Sequence, residues 1–279
     1  MRIDLHCHVG RVYGSDKAVE VPVPVEDVKE YFYEQEITHA LVCYTERSEL
    51  ETLLQICPDT KIYPIQWVDH TTLIFHTDIN RGIKLHAYRG QKDIFNKTIT
   101  TDYTSKDCLN ILSSLPSNHI VQYHLQCSTS LYNTARAQTI MMLAIKFPQL
   151  KHMLIHGGAF GLKTMYPTAN SKYHDQFLHL AVSAEMLIRE AQLVADKLSN
   201  CFMDSSILLN SKSHFKLKYV CECLKSGLGS DYPFCINKKQ ASIGFGIKNQ
   251  ERIIGEVYGQ EKVDEIHQRS LLWLESKIN

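Results

Sequence analysis

Eight short β-rich runs, spread along the chain with helical patterns between them, constrain this sequence more than any other feature. They lie at 2–8, 38–44, 61–68, 82–86, 119–125, 152–156, 201–207 and 227–231. Strands alternating with helices predict βαβ units and a parallel sheet. Eight such units with nothing left over predict closure into a single (β/α)8 TIM barrel with C-terminal helices, a fold that takes about 250 residues. The 279 residues are therefore read as one domain, 1–279, without an internal repeat or low-complexity tail.

The helical patterns differ in quality. Residues 24–36 place Val25, Val28, Tyr31 and Phe32 on one stripe, and 134–148 do the same with Ile140, Leu143, Ala144 and Phe147 before Pro148. The longest pattern is 174–199, a weaker one covers 70–81, and 248–276 reads as one or two terminal helices closing the barrel. The longest Gly, Pro and polar stretches follow runs one, four, six and eight, at 9–25, 87–105, 157–173 and 232–247. In a parallel barrel these all sit at the C-terminal mouth, where substrates bind.

Composition narrows the partners. Thirty basic and thirty acidic side chains cancel, whereas a nucleic-acid binder shows a basic excess. No run approaches the roughly 18 apolar residues that span a bilayer, and no apolar stretch ahead of a cleavage site marks a secretory signal. The nine cysteines form no CxxC pair; Cys221 and Cys223 come nearest. The expectation is a cytoplasmic protein with reduced thiols and a small-molecule substrate, with no nucleic-acid or membrane partner. A homo-oligomer stays open, since the outer helices of barrels often pair.

The chemistry begins with His6 and His8. Fourteen histidines make roughly 0.7 His-x-His pairs by chance, so position decides. Side chains alternate along a strand, which puts Asp4, His6 and His8 on one face and Cys7 on the other. In the fifth run Gln122, His124 and Gln126 share a face. His156 ends the sixth run before two glycines, and Asp231 ends the eighth before Tyr232, Pro233 and Phe234, which would shape the mouth. Five metal-type side chains thus fall at the C-terminal ends of four strands. Imidazole and carboxylate are the ligands of zinc and similar ions, and a catalytic site keeps one position open for water.

The blocks "DLHCH", "GIKLH", "MLIHGG", "FMDSS" and "GSDYPF", in this order, resemble the signature blocks of the amidohydrolase superfamily. Within it the chain is similar to the amidohydrolase-related branch that contains aminocarboxymuconate-semialdehyde decarboxylase. The resemblance implies metal ligation by His6, His8 and Asp231, His124 as a further ligand, and His156 as a ligand or an electrophile. It implies a divalent metal, Zn2+ first, one ion rather than two. Lys84 is open between two roles: a cation for substrate carboxylate, or a carbamate bridging two metals. His86 shares its parity. Arg89 is a second candidate for an anionic substrate.

The activity this implies is hydrolysis of an amide, lactone or ester bond of a small carboxylated molecule through a metal-activated water. Asp231 would shuttle the proton and His156 would polarise the carbonyl. Non-oxidative decarboxylation is the alternative from the same branch. A decayed, non-catalytic barrel fits poorly with five filled positions, and a phosphoesterase barrel would carry further His and acidic blocks. Asp204 is expected to be structural or to support a ligand, and Asp4 to brace the first strand. His39, His119 and His152 begin strands at the stability face. His70, His76, His174, His179, His214 and His267 read as surface or packing residues.

Overall fold

A strand buried on both faces has no solvent side for polar residues, which is why valine, isoleucine, leucine and tyrosine crowd the β-rich runs. The computed structural model describes residues 1–13, 20–68, 78–85, 103–126, 137–160, 188–206, 220–233 and 246–278. Within them the strands are β1 (Ile3–Tyr13), β2 (Glu20–Val23), β3 (His39–Tyr44), β4 (Lys61–Trp67), β5 (Gly82–Leu85), β6 (Ile120–Gln126), β7 (Lys151–Phe160), β8 (Cys201–Asp204) and β9 (Ser226–Gly227). They form one sheet in the order β2-β1-β3-β4-β5-β6-β7-β8-β9. Only β2 is antiparallel to its neighbour; the other pairs run parallel.

The segment after β9 closes the ring. Leu5 N–H donates to Leu228 O at 2.9 Å, Asp231 N–H to His6 O at 2.7 Å, and His8 N–H to Tyr232 O at 3.1 Å. Eight parallel strands therefore make a closed barrel, as the run pattern predicts. The eighth run differs in detail: only Ser226–Gly227 is regular strand, and 228–232 join β1 through these separate bonds.

Two features depart from the sequence reading. The Gly, Pro and polar content of 9–25 predicts a mouth loop, yet β1 continues to Tyr13 and pairs with β2, with Arg11 opposite Pro22. Proline is tolerated there because β2 stands at the edge of the sheet that the described residues form. The second departure corrects the parity of β1. Asp4 pairs with Ala40 but Cys7 with Val42, three steps on β1 against two on β3. This bulge resets the alternation. Leu5 packs with Leu41, Cys43, Ile65 and Phe202 inside the cylinder, while Cys7 and Val9 pack against the outer helix Val25–Gln35. Asp4 bonds to Tyr31 of that helix, so it does not share the histidines' face.

The helices cover the sheet as their stripes predict. Val25, Val28, Tyr31 and Phe32 are all buried, and so are Ile140, Leu143 and Ala144 of the helix Ala137–Lys146. Phe147 follows, also buried. Arg47–Ile56 and Lys106–Ser114 are further helices, the second capped by Ser105, whose side chain accepts from Cys108 N–H. The terminal pattern is two helices, Ile247–Tyr258 and Gln260–Glu275, divided at Gly259 with φ +84°. Of the 174–199 pattern, 188–197 is helical and 174–187 lies outside the described residues, as does most of 70–81.

The base of the barrel is tied by buried polar groups. Lys151 Nζ donates to Trp273 O at 2.5 Å and Leu274 O at 3.0 Å, satisfying carbonyls that end the last helix. His267 accepts from Ile3 N–H and meets Glu251 at 2.6 Å, and Arg2 pairs with the same carboxylate. The seven described cysteines are buried and unbridged. No helix among the described residues is long and apolar enough to cross a membrane.

His152 supplies a test. Its ring stacks on Tyr123, Nε2–H donates to Phe147 O at 3.1 Å, and Nδ1 accepts from the Tyr123 hydroxyl at 3.0 Å. Burial pushes its pKa down to about 4 from 6.5. The unfolded chain therefore binds the extra proton between those values, and stability falls as pH drops through them. At 1.36 kcal/mol per pH unit, the loss for this group is about 3 kcal/mol. Urea midpoints measured from pH 7 to pH 4 should fall more steeply for wild type than for His152→Gln. Parallel curves would remove this origin of acid sensitivity.

Candidate metal centre

Six buried polar side chains meet at the C-terminal rim of the barrel: His6, His8, Lys84, His124, His156 and Asp231. His6 and His8 come from β1 and point inward after the bulge. Lys84 comes from β5, in register with Trp67 of β4 and Gln122 of β6. His124, two residues beyond Gln122, lies on the same face of β6.

Asp231 Oδ1 lies 3.2 Å from His8 Nε2 and 3.6 Å from His6 Nε2. One ligand atom from each of these three residues lies within 4.8 Å of the other two. Lys84 Nζ stands 2.8 Å from His6 Nε2 and 3.2 Å from His8 Nε2, over the Trp67 ring at 4.8 Å. The acceptor atoms of two imidazoles and a carboxylate thus converge on a point already favourable to positive charge. This donor set suits a divalent cation.

Burial holds His6, His8, His124 and His156 well below the ordinary imidazole pKa, with the Lys84 charge acting in the same direction. Neutral imidazole is the form that ligates a metal. Burial also lowers the Lys84 pKa. Asp204 is pushed up to about 7, burial outweighing the hydrogen bonds from Ser206 and His156.

The backbone contributes as well. His156 has φ 60° and Asp231 φ 55°. Non-glycine residues in the left-handed region are uncommon and concentrate where a site over-determines them. Asp231 stands past the end of β9, whereas β7 runs on to Phe160, so His156 does not end its strand as the sequence suggests but sits at an irregular point inside it.

The structure gathers His6, His8 and Asp231 as the sequence expects. His124 stands edge-on to His156 at 4.7 Å between ring centroids. Of the fourth-strand pair, Lys84 points inward, while His86, Arg89 and Phe234 lie outside the described residues. Asp204 supports the histidines, accepting from His156 N–H at 2.8 Å and facing His6 Nδ1 at 3.2 Å.

Three participants escaped the sequence reading. Trp67 carries Lys84 and faces His8 at 5.7 Å; its place at the end of a strand was the available signal. Ser206 bonds to both His6 and His156. Ser230 N–H and hydroxyl donate to Asp4 at 3.0 and 2.6 Å, alongside His6 N–H at 3.0 Å and the Tyr31 hydroxyl at 2.8 Å. Nothing local marks either serine, since short polar residues at strand ends are common in any barrel.

No family model matches the sequence, and no curated protein matches it. Solved structures do match. A probable 2-pyrone-4,6-dicarboxylic acid hydrolase from Acinetobacter baumannii, with citric acid bound, superposes with a TM-score of 0.58 at 14% identity, covering 99% of both chains. Dihydroorotase from Campylobacter jejuni gives 0.54 at 14% identity, covering 99% of this chain and 83% of the other. An uncharacterized TIM-barrel protein from Bordetella bronchiseptica gives 0.52 at 10% identity over 99% of each. These likenesses show the barrel fold.

Asp4 offers a test of how the rim is held. Asp4→Ala leaves two backbone N–H groups and two hydroxyls without their acceptor, each costing about 1–3 kcal/mol when buried. The expected outcome is a loss of several kcal/mol in denaturant unfolding, far beyond a surface carboxylate. A loss below about 1 kcal/mol, as for surface changes, would show that the seam does not depend on Asp4.

Proposed function

We propose that the protein is a divalent-metal-dependent hydrolase of the amidohydrolase type, cleaving an amide, lactone or ester bond in a small carboxylated molecule. The observation that carries this reading is the convergence of His6, His8 and Asp231 at the barrel mouth. The ion is proposed to be Zn2+, a single one, held by these residues with His124 as a further ligand. Likeness in fold to a protein named as a hydrolase of a dicarboxylic acid, and to a dihydroorotase, supports the reaction class.

When bound, such an ion lowers the pKa of a water molecule toward about 7 and polarises a carbonyl oxygen. Asp231, beside the His6 and His8 nitrogens, accepts the proton of the attacking water and returns it to the leaving group. His156 stands beside His6, at 5.1 Å between rings, as a ligand or as a donor to the developing oxyanion. Lys84 and Arg89 are assigned to the substrate carboxylate. Burial of this rim keeps bulk water from competing for those charges.

The carbamate is the alternative state of Lys84. A carbamate formed on an amine 2.8 and 3.2 Å from two imidazole nitrogens would put a carboxylate among the ligands, and a second ion could then bind. Intact-protein mass and [13C]bicarbonate labelling distinguish the free amine from the carbamate. We further propose a cytoplasmic enzyme, in keeping with buried, unbridged cysteines.

Elemental analysis of the purified protein tests the central reading. About one equivalent of a divalent metal is expected in wild type, with most of it lost in His6→Ala and Asp231→Ala. Asp231→Asn should keep the fold and much of the metal while kcat drops by about 10²–10⁴, the usual weight of a proton-transfer group. Retention of full turnover in Asp231→Asn would refute the proton shuttle. Release of CO2 during turnover would replace hydrolysis with decarboxylation.

A further inference from the structure

Ser206 occupies the midpoint of a buried group that the metal reading leaves unexplained. Its Oγ lies 2.6 Å from Asp204 Oδ1, 2.8 Å from His156 Nδ1 and 3.1 Å from His6 Nδ1. Ser206, Asp204, His6 and His156 are all buried. The ligand atoms of His6, His156 and Asp204 are close enough to enclose a cation. A hydroxyl already stands within hydrogen-bond reach of all three residues, so the cluster is a hydrogen-bonded hub and not a second ion position.

With Asp204 ionised, the hydrogen-bond directions in that hub follow from its donors and acceptors. A serine hydroxyl has one proton to give and two lone pairs to receive. Asp204 Oδ1 already accepts the backbone N–H groups of His156 and Ser206, at 2.8 and 3.0 Å, which marks it as an acceptor. The Ser206 proton therefore goes to Asp204, and both serine lone pairs remain for the two imidazoles. Each ring must then carry its proton on Nδ1. For His6 the far side agrees: Nε2 accepts from the Lys84 amine at 2.8 Å.

We infer that Ser206 is a positioning residue whose single hydroxyl, turned to Asp204, sets both His6 and His156 in the Nδ1–H tautomer. One side chain from the end of β8 thereby aims a lone pair of β1 and a lone pair of β7 into the mouth. The consequence for His156 is specific. A neutral ring protonated on Nδ1 offers an acceptor at Nε2, so it binds a cation and does not donate to an oxyanion. The assignment of the tautomers rests on hydrogen bonds alone; only its bearing on metal affinity rests on the function proposed above.

The test reads the tautomers directly. In metal-free protein labelled with [15N]histidine, two-bond 1H–15N correlation spectra separate protonated from unprotonated ring nitrogens. His6→Gln and His156→Gln assign the signals. Wild type should show Nδ1–H, Nε2-unprotonated patterns for both rings. Ser206→Ala should lose that pattern in at least one ring, and Ser206→Thr, which keeps the hydroxyl, should retain it. Zn2+ affinity by chelator competition should fall about 10- to 100-fold in Ser206→Ala, the usual effect of removing a ligand's hydrogen-bond partner, and recover in Ser206→Thr.

An Nε2–H pattern for either ring in wild type overturns the inference, whether or not the serine variants fold. So does a folded Ser206→Ala with unchanged tautomers. Tautomers as expected, with no metal bound at any concentration, would uphold the serine's role and defeat the metal reading instead.

Discussion

The seam between β1 and residues 228–232 is the constraint on which the rest of this structure depends. Three backbone hydrogen bonds there turn an open parallel sheet into a ring. Asp4 reinforces the same seam from outside, drawing on Tyr31 of the overlying helix and on both donors of Ser230. Burial raises the pKa of this carboxyl against the pull of those bonds. A buried charge of this kind is stable only while its donors hold. Closure of the barrel and the position of Asp231 beside His6 are thus one event, because Asp231 N–H is itself a bond of the seam.

The rim inherits its electrostatics from that closure. Four histidines and a lysine would repel one another as cations, but burial favours their neutral forms and leaves lone pairs facing the axis. The rim is poised for a cation because it cannot comfortably hold its own protons. Strained backbone at His156 and Asp231 belongs to the same arrangement: each costs of order 1–3 kcal/mol locally and is held by bonds to Asp204 and to β1.

The β1 bulge shows where reading by alternation stops. Strict period-two parity correctly put His6 and His8 together, yet it also put Asp4 with them, and the structure separates it. An inserted residue leaves no mark in side-chain chemistry when both faces of a strand are buried, since apolar residues suit either side. Ile3, Leu5, Cys7 and Val9 read the same in either register. Pro22 misled in a comparable way: it signals a loop unless the strand lies at an edge, and edge position is a property of the whole sheet.

By itself the sequence determined the eight-unit rhythm, the stripes of the helices at 25–35 and 137–146, and the metal-type residues carried by four β-rich runs. These are legible because periodicity and residue type act over a few neighbouring positions. Only the tertiary structure decided that Asp231 approaches His6 and His8, that Lys84 and not Asp4 shares their interior, and that Ser206 joins β8 to two histidines. Those relations depend on the closure of a cylinder, which brings together atoms some two hundred residues apart. No local pattern can encode a distance of that kind.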